Sequence, residues 1–166
     1  MSVSLRPWHQ TDAERLAFLA NDESIASNMT DAFPHPYLIG QAFSFLQEVS
    51  LEPLPLRLAI LSDGWLAGGI GIHPKTDIYR LSAELGYWLG KDYRGFGIGT
   101  EAIRLMVQYT FTNLSVNRIF ATPFPHNIAS QRALEKNGFF LEARFQNNLI
   151  KNGVVMDELV YALRRL

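Results

Sequence analysis

Three glycines at alternate positions, Gly95, Gly97 and Gly99, form the stretch of the sequence with the clearest chemical use. They lie between a segment typical of a β-strand and one typical of a helix. Because glycine has no side chain to obstruct a ligand, the backbone N–H groups of such a loop can converge on an anion. The unpaired N–H groups and the positive dipole end of the following helix strengthen that attraction. The loop therefore predicts a pyrophosphate site, to which Arg94 can add a charge-assisted contact.

Other interpretations of the loop stay open on the residues alone. It can be a glycine turn that only caps the helix. A Walker A phosphate loop is excluded, because Gly-Lys-Ser/Thr is absent. Residues 97–102 fit the dinucleotide pattern Gly-x-Gly-x-x-Ala. However, the next predicted strand, 118–122, runs into Pro123-Phe124-Pro125 and offers no acidic residue for a ribose hydroxyl.

Hydrophobic periodicity places the loop in a chain that mixes helices and strands. The predicted order is β-α-α-β-β-β-α-β-α-β-β, with hairpin turns at Asp63-Gly64 and Lys151-Asn152-Gly153. Thr11 and Glu14 predict a capping box at the first helix, and Asp22 can cap a helical turn after it. Gly138 is expected to end the last helix. Strand–helix–strand stretches combined with hairpins predict a mixed sheet with helices packed against it.

The composition narrows the classes of function. The 166 residues have the length of one domain, expected to span 1–166. With 15 basic and 16 acidic residues, the net charge of −1 gives no global field that would attract nucleic acid or an anionic membrane. There is no cysteine, and the four histidines have no metal-ligand spacing, so no metal is expected. No apolar run reaches the roughly 18 residues of a membrane span and no signal peptide is recognisable, so we expect a cytoplasmic protein.

The run Arg-Gly-Phe-Gly-Ile-Gly at 94–99 resembles the acyl-CoA motif of the GNAT N-acetyltransferases, Arg/Gln-x-x-Gly-x-Gly/Ala. Further segments resemble the ribosomal-protein branch of that family, the RimJ/RimL type: Leu5–Trp8, Leu85–Gly90, Gly99–Ala102, Asn127–Ser130 and Asn137–Phe139. The resemblance spans essentially the whole chain. It implies an α+β GNAT fold, in which a strongly twisted mixed sheet of about seven strands, flanked by about four helices, splays where acetyl-CoA enters. Homodimers are common in this family, so a homodimer is one expected assembly.

The resemblance also implies which residues hold acetyl-CoA. The strand 82–89 would bind the pantetheine arm by backbone bonds at Tyr87, Trp88 and Leu89. The loop would hold the pyrophosphate through Arg94, Gly95, Phe96, Gly97, Ile98, Gly99 and Thr100. Asn127 would bind the pantetheine arm or an ordered water, although asparagine there is also a good helix N-cap. Arg132 would meet the 3′-phosphate or, equally, face solvent.

Transfer of an acetyl group to an amine needs a neutral nucleophile, a polarised carbonyl, a proton for the departing thiolate and two reactants held together. Since the chain has no cysteine and no Gly-x-Ser-x-Gly elbow, we expect direct attack in a ternary complex and no acyl-enzyme. Glu84, on the strand before the loop, is the candidate base. The alternatives are a carboxylate that faces water or pairs with arginine, and a water relay, which suffices for an α-amine of pKa about 8.

The proton donor for the thiolate is inferred from the resemblance. Many GNAT enzymes use a tyrosine seven residues beyond the asparagine, but counting from Asn127 gives Leu134. In the RimL-like branch a serine three residues beyond the asparagine can take that role, and this residue is Ser130. On the acceptor side, Tyr37 and His35 lie in a proline-rich loop where a substrate can enter.

The sequence leaves the acceptor open. A protein N-terminal α-amine is the first expectation, and it rests on the resemblance. A small amine is the second: a polyamine, an amino acid, an amino sugar or an antibiotic. A CoA-binding sensor without transfer activity is a third alternative, because the usual tyrosine acid is missing. A dinucleotide-binding protein is the fourth, supported by residues 97–102 alone.

Overall fold

A seven-stranded mixed sheet forms the centre of the structure, a computed structural model that describes residues 1–165. The strands are β1 (Val3–Pro7), β2 (Arg57–Ser62), β3 (Trp65–Pro74), β4 (Ser82–Leu89), β5 (Arg118–Ala121), β6 (Phe140–Lys151) and β7 (Val154–Arg164). The helices are α1 (Ala13–Ala20), α2 (Glu23–Ala26), α3 (Ile39–Ser50), α4 (Ile98–Asn113) and α5 (Ile128–Lys136). The predicted α+β fold and its seven strands are confirmed, and the helix beyond the expected four is the single turn α2. Leu166, part of the expected domain, lies outside the described residues.

The strand order β1-β2-β3-β4-β5-β7-β6 contains one parallel pair, β4 with β5. The other neighbours are antiparallel. The parallel pairing runs only from Ser82↔Arg118 to Glu84↔Phe120, although β4 continues to Leu89. The sheet therefore opens between β4 and β5 from Leu85 onwards. This opening is the splay that the resemblance implied.

Alternation along β4 divides its side chains between two helical layers. Leu85, Tyr87 and Leu89 pack in the main core, together with α4 and α5 residues that include Ile98, Ala102, Met106 and Leu134. Glu84 and Trp88 project to the other face, where Trp88 packs against the α1 and α3 layer. A fully buried aliphatic side chain contributes about 1.5–3 kcal/mol. Apolar packing from both sides therefore holds β4 in place even where β5 no longer pairs with it.

The start of α1 differs from the prediction. Thr11 is not its N-cap, because the chain first makes a 3-10 turn over Gln10–Asp12. The Asp12 carboxylate accepts hydrogen bonds from both terminal nitrogens of Arg6, at 2.8 and 2.9 Å, and from the N–H of His9 at 2.8 Å. A bidentate arginine binds a carboxylate more strongly than a threonine hydroxyl caps a helix, and this ion pair decides the local geometry.

The other predicted helix boundaries are confirmed. The Asp22 carboxylate accepts a hydrogen bond from the N–H of Ser24 and caps α2. Gly138 follows α5 with a φ of +84°, in the left-handed region where only glycine is free of strain. The predicted hairpins are present as β2 with β3 and β6 with β7.

We expect Asp12→Asn to lower the free energy of unfolding at neutral pH by about 1–3 kcal/mol. Burial alone would raise the pKa of Asp12, but the hydrogen bonds from Arg6 and the His9 N–H outweigh burial and hold that pKa below its ordinary value. The stabilisation is therefore complete above the unfolded carboxyl pKa of about 3.9 and is lost as the pH falls through the lower folded value. Urea unfolding of both proteins at neutral and strongly acidic pH measures this. A difference that persists unchanged into strong acid would contradict the role of the charge.

Candidate active site

The open edge of β4 is the first part of the site. Leu85–Leu89 pair with Gly68–Ile72 of β3 on one side, while β5 supplies no partner on the other. Apart from the Leu89 carbonyl, which accepts hydrogen bonds from Arg94, backbone N–H and C=O groups along this edge can pair with an extended ligand that carries amides. Such a ligand can add to the sheet as a further strand does.

The glycine loop follows β4 and leads into α4. Gly95 and Gly97 both have a φ of +81°, which glycine adopts without strain. A Cβ at either position would meet no atom within 4 Å, so the outer surface of the loop is open. Gly97 is the N-cap of α4 and has no side chain to satisfy the N–H groups of the first turn. These N–H groups, together with the helix dipole, can receive an anion.

Gly99 has a different role from Gly97. A Cβ at position 99 would lie 3.3 Å from the ring of Tyr87 and 3.4 Å from the side chain of Leu89. Glycine at this position therefore lets the first turn of α4 pack closely on β4. The third glycine of the motif fixes the distance between the loop and the open edge.

Arg94 ties the loop to α2. Its guanidinium donates to the Leu89 carbonyl at 3.1 and 3.2 Å and to Ser24 Oγ at 2.9 Å, and it lies 3.5 Å from the Asp22 carboxylate. The sequence predicted a phosphate contact at Arg94 and gave no sign of these protein contacts. A guanidinium has five N–H donors, so a phosphate at the loop can still be reached.

The remaining residues expected at the cofactor differ in exposure. Phe96 is exposed on the loop, and Arg132 is exposed on α5. The Ile98 side chain is buried in the main core, so this residue can offer a ligand only its backbone N–H. The Thr100 carbonyl accepts a hydrogen bond from the Asn137 side chain at 3.0 Å, which links the first turn of α4 to the end of α5.

Ser130 and Tyr87 meet beside the open edge. Ser130 lies in the first turn of α5, where its N–H donates to the side-chain oxygen of Asn127, the N-cap, at 3.3 Å. The Tyr87 hydroxyl donates to Ser130 Oγ at 3.1 Å. Burial raises the pKa of Tyr87, and the hydrogen bond with Ser130 opposes that rise without cancelling it. Leu134, where many GNAT enzymes have a tyrosine, is fully buried in the main core.

Glu84 lies where β4 and β5 separate. Its carboxylate accepts a hydrogen bond from Thr122 Oγ1 at 3.4 Å and lies 3.6 Å from Lys75 Nζ. The side chain is 35% exposed, so solvent and small ligands can reach it. Because Glu84 is three residues from Tyr87, it projects from the opposite face of β4. Glu84 and Ser130 therefore flank the opening from opposite faces and do not contact each other.

The two residues expected at the acceptor entrance have different surroundings. His35 is exposed. Tyr37 is only 6% exposed, and its ring centroid lies 5.4 Å from that of Phe33, which in turn lies 6.0 Å from Trp88. Burial raises the pKa of Tyr37 to about 12. Apolar packing has drawn Tyr37 into the α1 and α3 layer, beside Trp88, and its place at the acceptor entrance stays a prediction.

Two polar contacts hold the segment between α2 and α3 in place, and the sequence predicts neither of them. His126 Nε2 and Asn28 Oδ1 are 2.9 Å apart, which connects this segment to the loop between β5 and α5. Lys151 Nζ donates to Asp31 at 2.9 Å from a side chain that is 10% exposed, which connects the segment to the end of β6. The partners are 98 and 120 residues apart, so no local pattern could predict them.

Some kinds of site have no counterpart in the described part of the chain. Within residues 1–165, no helix combines the length and the apolar composition that crossing a bilayer requires. The same residues bring no three His, Asp or Glu side chains together in a way that could hold a metal ion.

Known proteins share this architecture and parts of this sequence. Residues 2–140 match the family model described as acetyltransferase (GNAT) domain. The probable N-acetyltransferase YjcK of Bacillus subtilis (strain 168) is 45% identical over 102 residues, 61% of this chain and 56% of that protein. The putative ribosomal N-acetyltransferase YdaF of the same organism is 34% identical over 108 residues, 65% of this chain and 58% of that protein. The chain thus spans little more than half the length of these two relatives.

Two further matches cover more of the chain. Spermidine N(1)-acetyltransferase of Escherichia coli (strain K12) is 26% identical over 153 residues, 92% of this chain and 80% of that protein. Among solved structures, the microcin C7 self immunity acetyltransferase MccE, in complex with acetyl-CoA and AMP, matches with a TM-score of 0.84 and 27% identity, over 98% of this chain and 92% of that one.

Proposed function

Since the chain belongs to the GNAT acetyltransferase family, we propose that it transfers the acetyl group of acetyl-CoA to a primary amine, and that the acceptor is the N-terminal α-amine of a protein. One observation carries this proposal: the sheet opens beside β4 immediately before a glycine-lined helix start. An extended arm that ends in a pyrophosphate matches that combination of an unpaired strand edge and an anion site.

We assign acetyl-CoA to this opening. The amides of its pantetheine arm pair with the backbone of Tyr87, Trp88 and Leu89. Its pyrophosphate receives backbone N–H groups of the loop 94–100, and its 3′-phosphate meets Arg132. The support for this assignment is the open surface at Gly95 and Gly97 and the exposure of Arg132.

Glu84 then accepts the amine proton on one face of β4, and Ser130 stabilises the leaving sulfur on the other. The amine approaches from the Glu84 face, its nitrogen attacks the thioester carbon, and its proton passes to Glu84 directly or through a water. The C–S bond breaks and its electron pair goes to sulfur, toward which Ser130 donates a hydrogen bond. A serine hydroxyl is far less acidic than a thiol, so Ser130 keeps its proton and stabilises the thiolate, which takes a proton from solvent.

An α-amine suits this arrangement because it needs little help to lose its proton. With pKa values of about 8 and about 10.4, roughly a tenth of α-amines but less than a thousandth of lysine amines are neutral at pH 7. Glu84, which is partly exposed and paired with Lys75, is then a sufficient base. The similarity to the putative ribosomal N-acetyltransferase YdaF supports a protein as the acceptor.

A small amine is the second candidate. The similarity to a spermidine N(1)-acetyltransferase over 92% of this chain favours it. The net charge of −1 gives no support for a strongly cationic acceptor, which is why the protein N-terminus remains the first proposal.

Release of the CoA thiol on a panel of amines tests the acceptor. The panel contains peptides with free N-termini, the same peptides with blocked N-termini and one internal lysine, and spermidine. A higher kcat/KM on the free N-termini is expected. Equal rates on free and blocked peptides, or a preference for spermidine, would contradict the N-terminal acceptor and leave acetyl transfer standing. No thiol release with any amine would contradict the transfer itself and favour a CoA-binding sensor.

Glu84→Gln is expected to lower kcat/KM on an N-terminal peptide by about tenfold and to flatten the acid limb of its pH profile. This effect is below the usual 10²–10⁴-fold contribution of a general base, because part of an α-amine is already neutral. Glu101→Gln is the matched control: Glu101 lies in the first turn of α4 and pairs with Arg104 at 2.7 Å, so the charge change is the same. A pH profile of Glu84→Gln identical to that of Glu101→Gln would assign proton removal to water.

A further inference from the structure

Within residues 1–165, the hydrogen bond between Tyr87 and Ser130 is the one side-chain hydrogen bond that joins the open edge of β4 to the start of α5. The two residues are 43 positions apart, and their oxygens are 3.1 Å from each other. Both lie on the face of the sheet that α4 and α5 cover. The proposed chemistry uses the hydroxyl of Ser130 and assigns none to the hydroxyl of Tyr87.

In the structure the Tyr87 hydroxyl is the donor and Ser130 Oγ the acceptor of this hydrogen bond. Burial raises the pKa of Tyr87, so at neutral pH the phenol keeps its single proton and can donate it. When Ser130 Oγ accepts that hydrogen bond, the serine O–H has to point elsewhere.

The position of Tyr87 is itself fixed by the glycine loop. A Cβ at Gly99 would come within 3.3 Å of the Tyr87 ring, closer than ordinary packing allows. The absence of that side chain lets the ring lie flush against the first turn of α4, with its hydroxyl directed at α5. The Tyr87 ring therefore packs against the glycine loop, while its hydroxyl bonds to Ser130, the proposed hydrogen-bond donor to the thiolate.

We propose that Tyr87 is a positioning residue for the transfer: by donating to Ser130 Oγ, its hydroxyl turns the serine O–H toward the departing sulfur. This inference rests on the proposed function. No proton leaves either residue, because the C–S electron pair goes to sulfur, Ser130 only shares its proton with the thiolate, and the thiolate is protonated by solvent.

The test is a double-mutant cycle of Tyr87→Phe, Ser130→Ala and the double variant. The measured quantity is the pKa of the CoA thiol in each complex. Thiolate absorbance is followed against pH, with the matched desulfo-CoA complex as the blank that removes tyrosine absorbance. The wild-type complex is expected to have a lower thiol pKa than free CoA. Each single variant should raise that pKa, and Tyr87→Phe should add nothing in the Ser130→Ala protein.

The same variants are also compared by kcat, measured with the amine that has the highest kcat/KM. Tyr87→Phe should lower kcat by about tenfold, the cost of one neutral hydrogen bond, with acetyl-CoA affinity nearly unchanged because the ring and the backbone remain. Tyr109→Phe is the matched control. Tyr109 is also partly buried and its hydroxyl donates to the Pro55 carbonyl at 2.8 Å, so this variant should leave both the thiol pKa and kcat unchanged.

The outcomes separate the two proposals. The positioning role would be overturned, with the transferase left standing, by either of two results in protein that binds CoA. One is an equal effect of Tyr87→Phe in the wild-type and the Ser130→Ala protein. The other is no effect of Tyr87→Phe on the thiol pKa. A Tyr109→Phe effect as large as that of Tyr87→Phe would reduce Tyr87 to a packing residue. Failure of CoA to bind the wild-type protein would overturn the proposed function and the role of Tyr87 with it.

Discussion

Gly97→Val is expected to weaken acetyl-CoA binding by about 100-fold or more. The new side chain would occupy the open surface above the loop, where a Cβ now meets no atom within 4 Å, and would keep the pyrophosphate from the first-turn N–H groups of α4. Hydrogen bonds to a charged group contribute about 1.5–3 kcal/mol each, and each 1.4 kcal/mol is tenfold in affinity, so the loss of two such bonds gives this magnitude. Calorimetric titration with acetyl-CoA measures it.

Gly64→Val is the control for the backbone strain that Gly97→Val also introduces. Gly64 lies in the turn between β2 and β3 with a φ of +83°, and a Cβ there meets no atom within 4 Å either. Both variants should lose comparable free energy of unfolding, about 1–2 kcal/mol from the left-handed backbone, but only Gly97→Val should lose acetyl-CoA. Wild-type affinity in Gly97→Val would show that the loop does not hold the pyrophosphate.

Ser130→Ala has the second large expected effect, a fall in kcat of about 100-fold with acetyl-CoA affinity within a few-fold of wild type. The removed group donates to the sulfur only as negative charge develops there, so the loss appears in the transition state and not in binding. One hydrogen bond to a charged group, about 1.5–3 kcal/mol, corresponds to about 10- to 150-fold in rate. Single-turnover release of the CoA thiol measures the chemical step directly.

Ser50→Ala is a control for the loss of a helical serine hydroxyl. Ser50 ends α3 and donates to the Gln47 carbonyl at 2.6 Å, so its removal should leave kcat unchanged. If Ser130→Ala has the same single-turnover rate as Ser50→Ala, Ser130 has no part in the reaction.

The sequence predicted well those features that depend on neighbouring residues. The strand 82–89 was predicted with the bounds that β4 has, and the loop after it leads into α4 with Gly97 as its N-cap. Gly138 ends α5 as predicted. Periodicity, turn chemistry and glycine conformation act over a few residues, so one sequence is enough to read them.

The features that sequence missed depend on contacts between distant residues. Arg94 bonds to Ser24, 70 positions away, and Tyr87 to Ser130, 43 positions away. The predicted cap at Thr11 failed because Arg6, from β1, binds Asp12. Tyr37 packs against Phe33 and is almost fully buried, which its position in a proline-rich loop did not predict. Only the packed structure determines such pairings. It also places α5 on the face of β4 that carries Tyr87, so Ser130 and Glu84 lie on opposite faces.

Binding of acetyl-CoA is the central claim, and a thermal-unfolding titration with acetyl-CoA, with NAD as the control ligand, tests it most directly. At a hundredfold excess over Kd, the ligand should add about 2.7 kcal/mol to the free energy of unfolding. For a domain of this size, that raises Tm by roughly 5–11 °C. We predict a shift of this size with acetyl-CoA and none with NAD. An unchanged Tm at saturating acetyl-CoA, or an equal shift with NAD, would contradict the account.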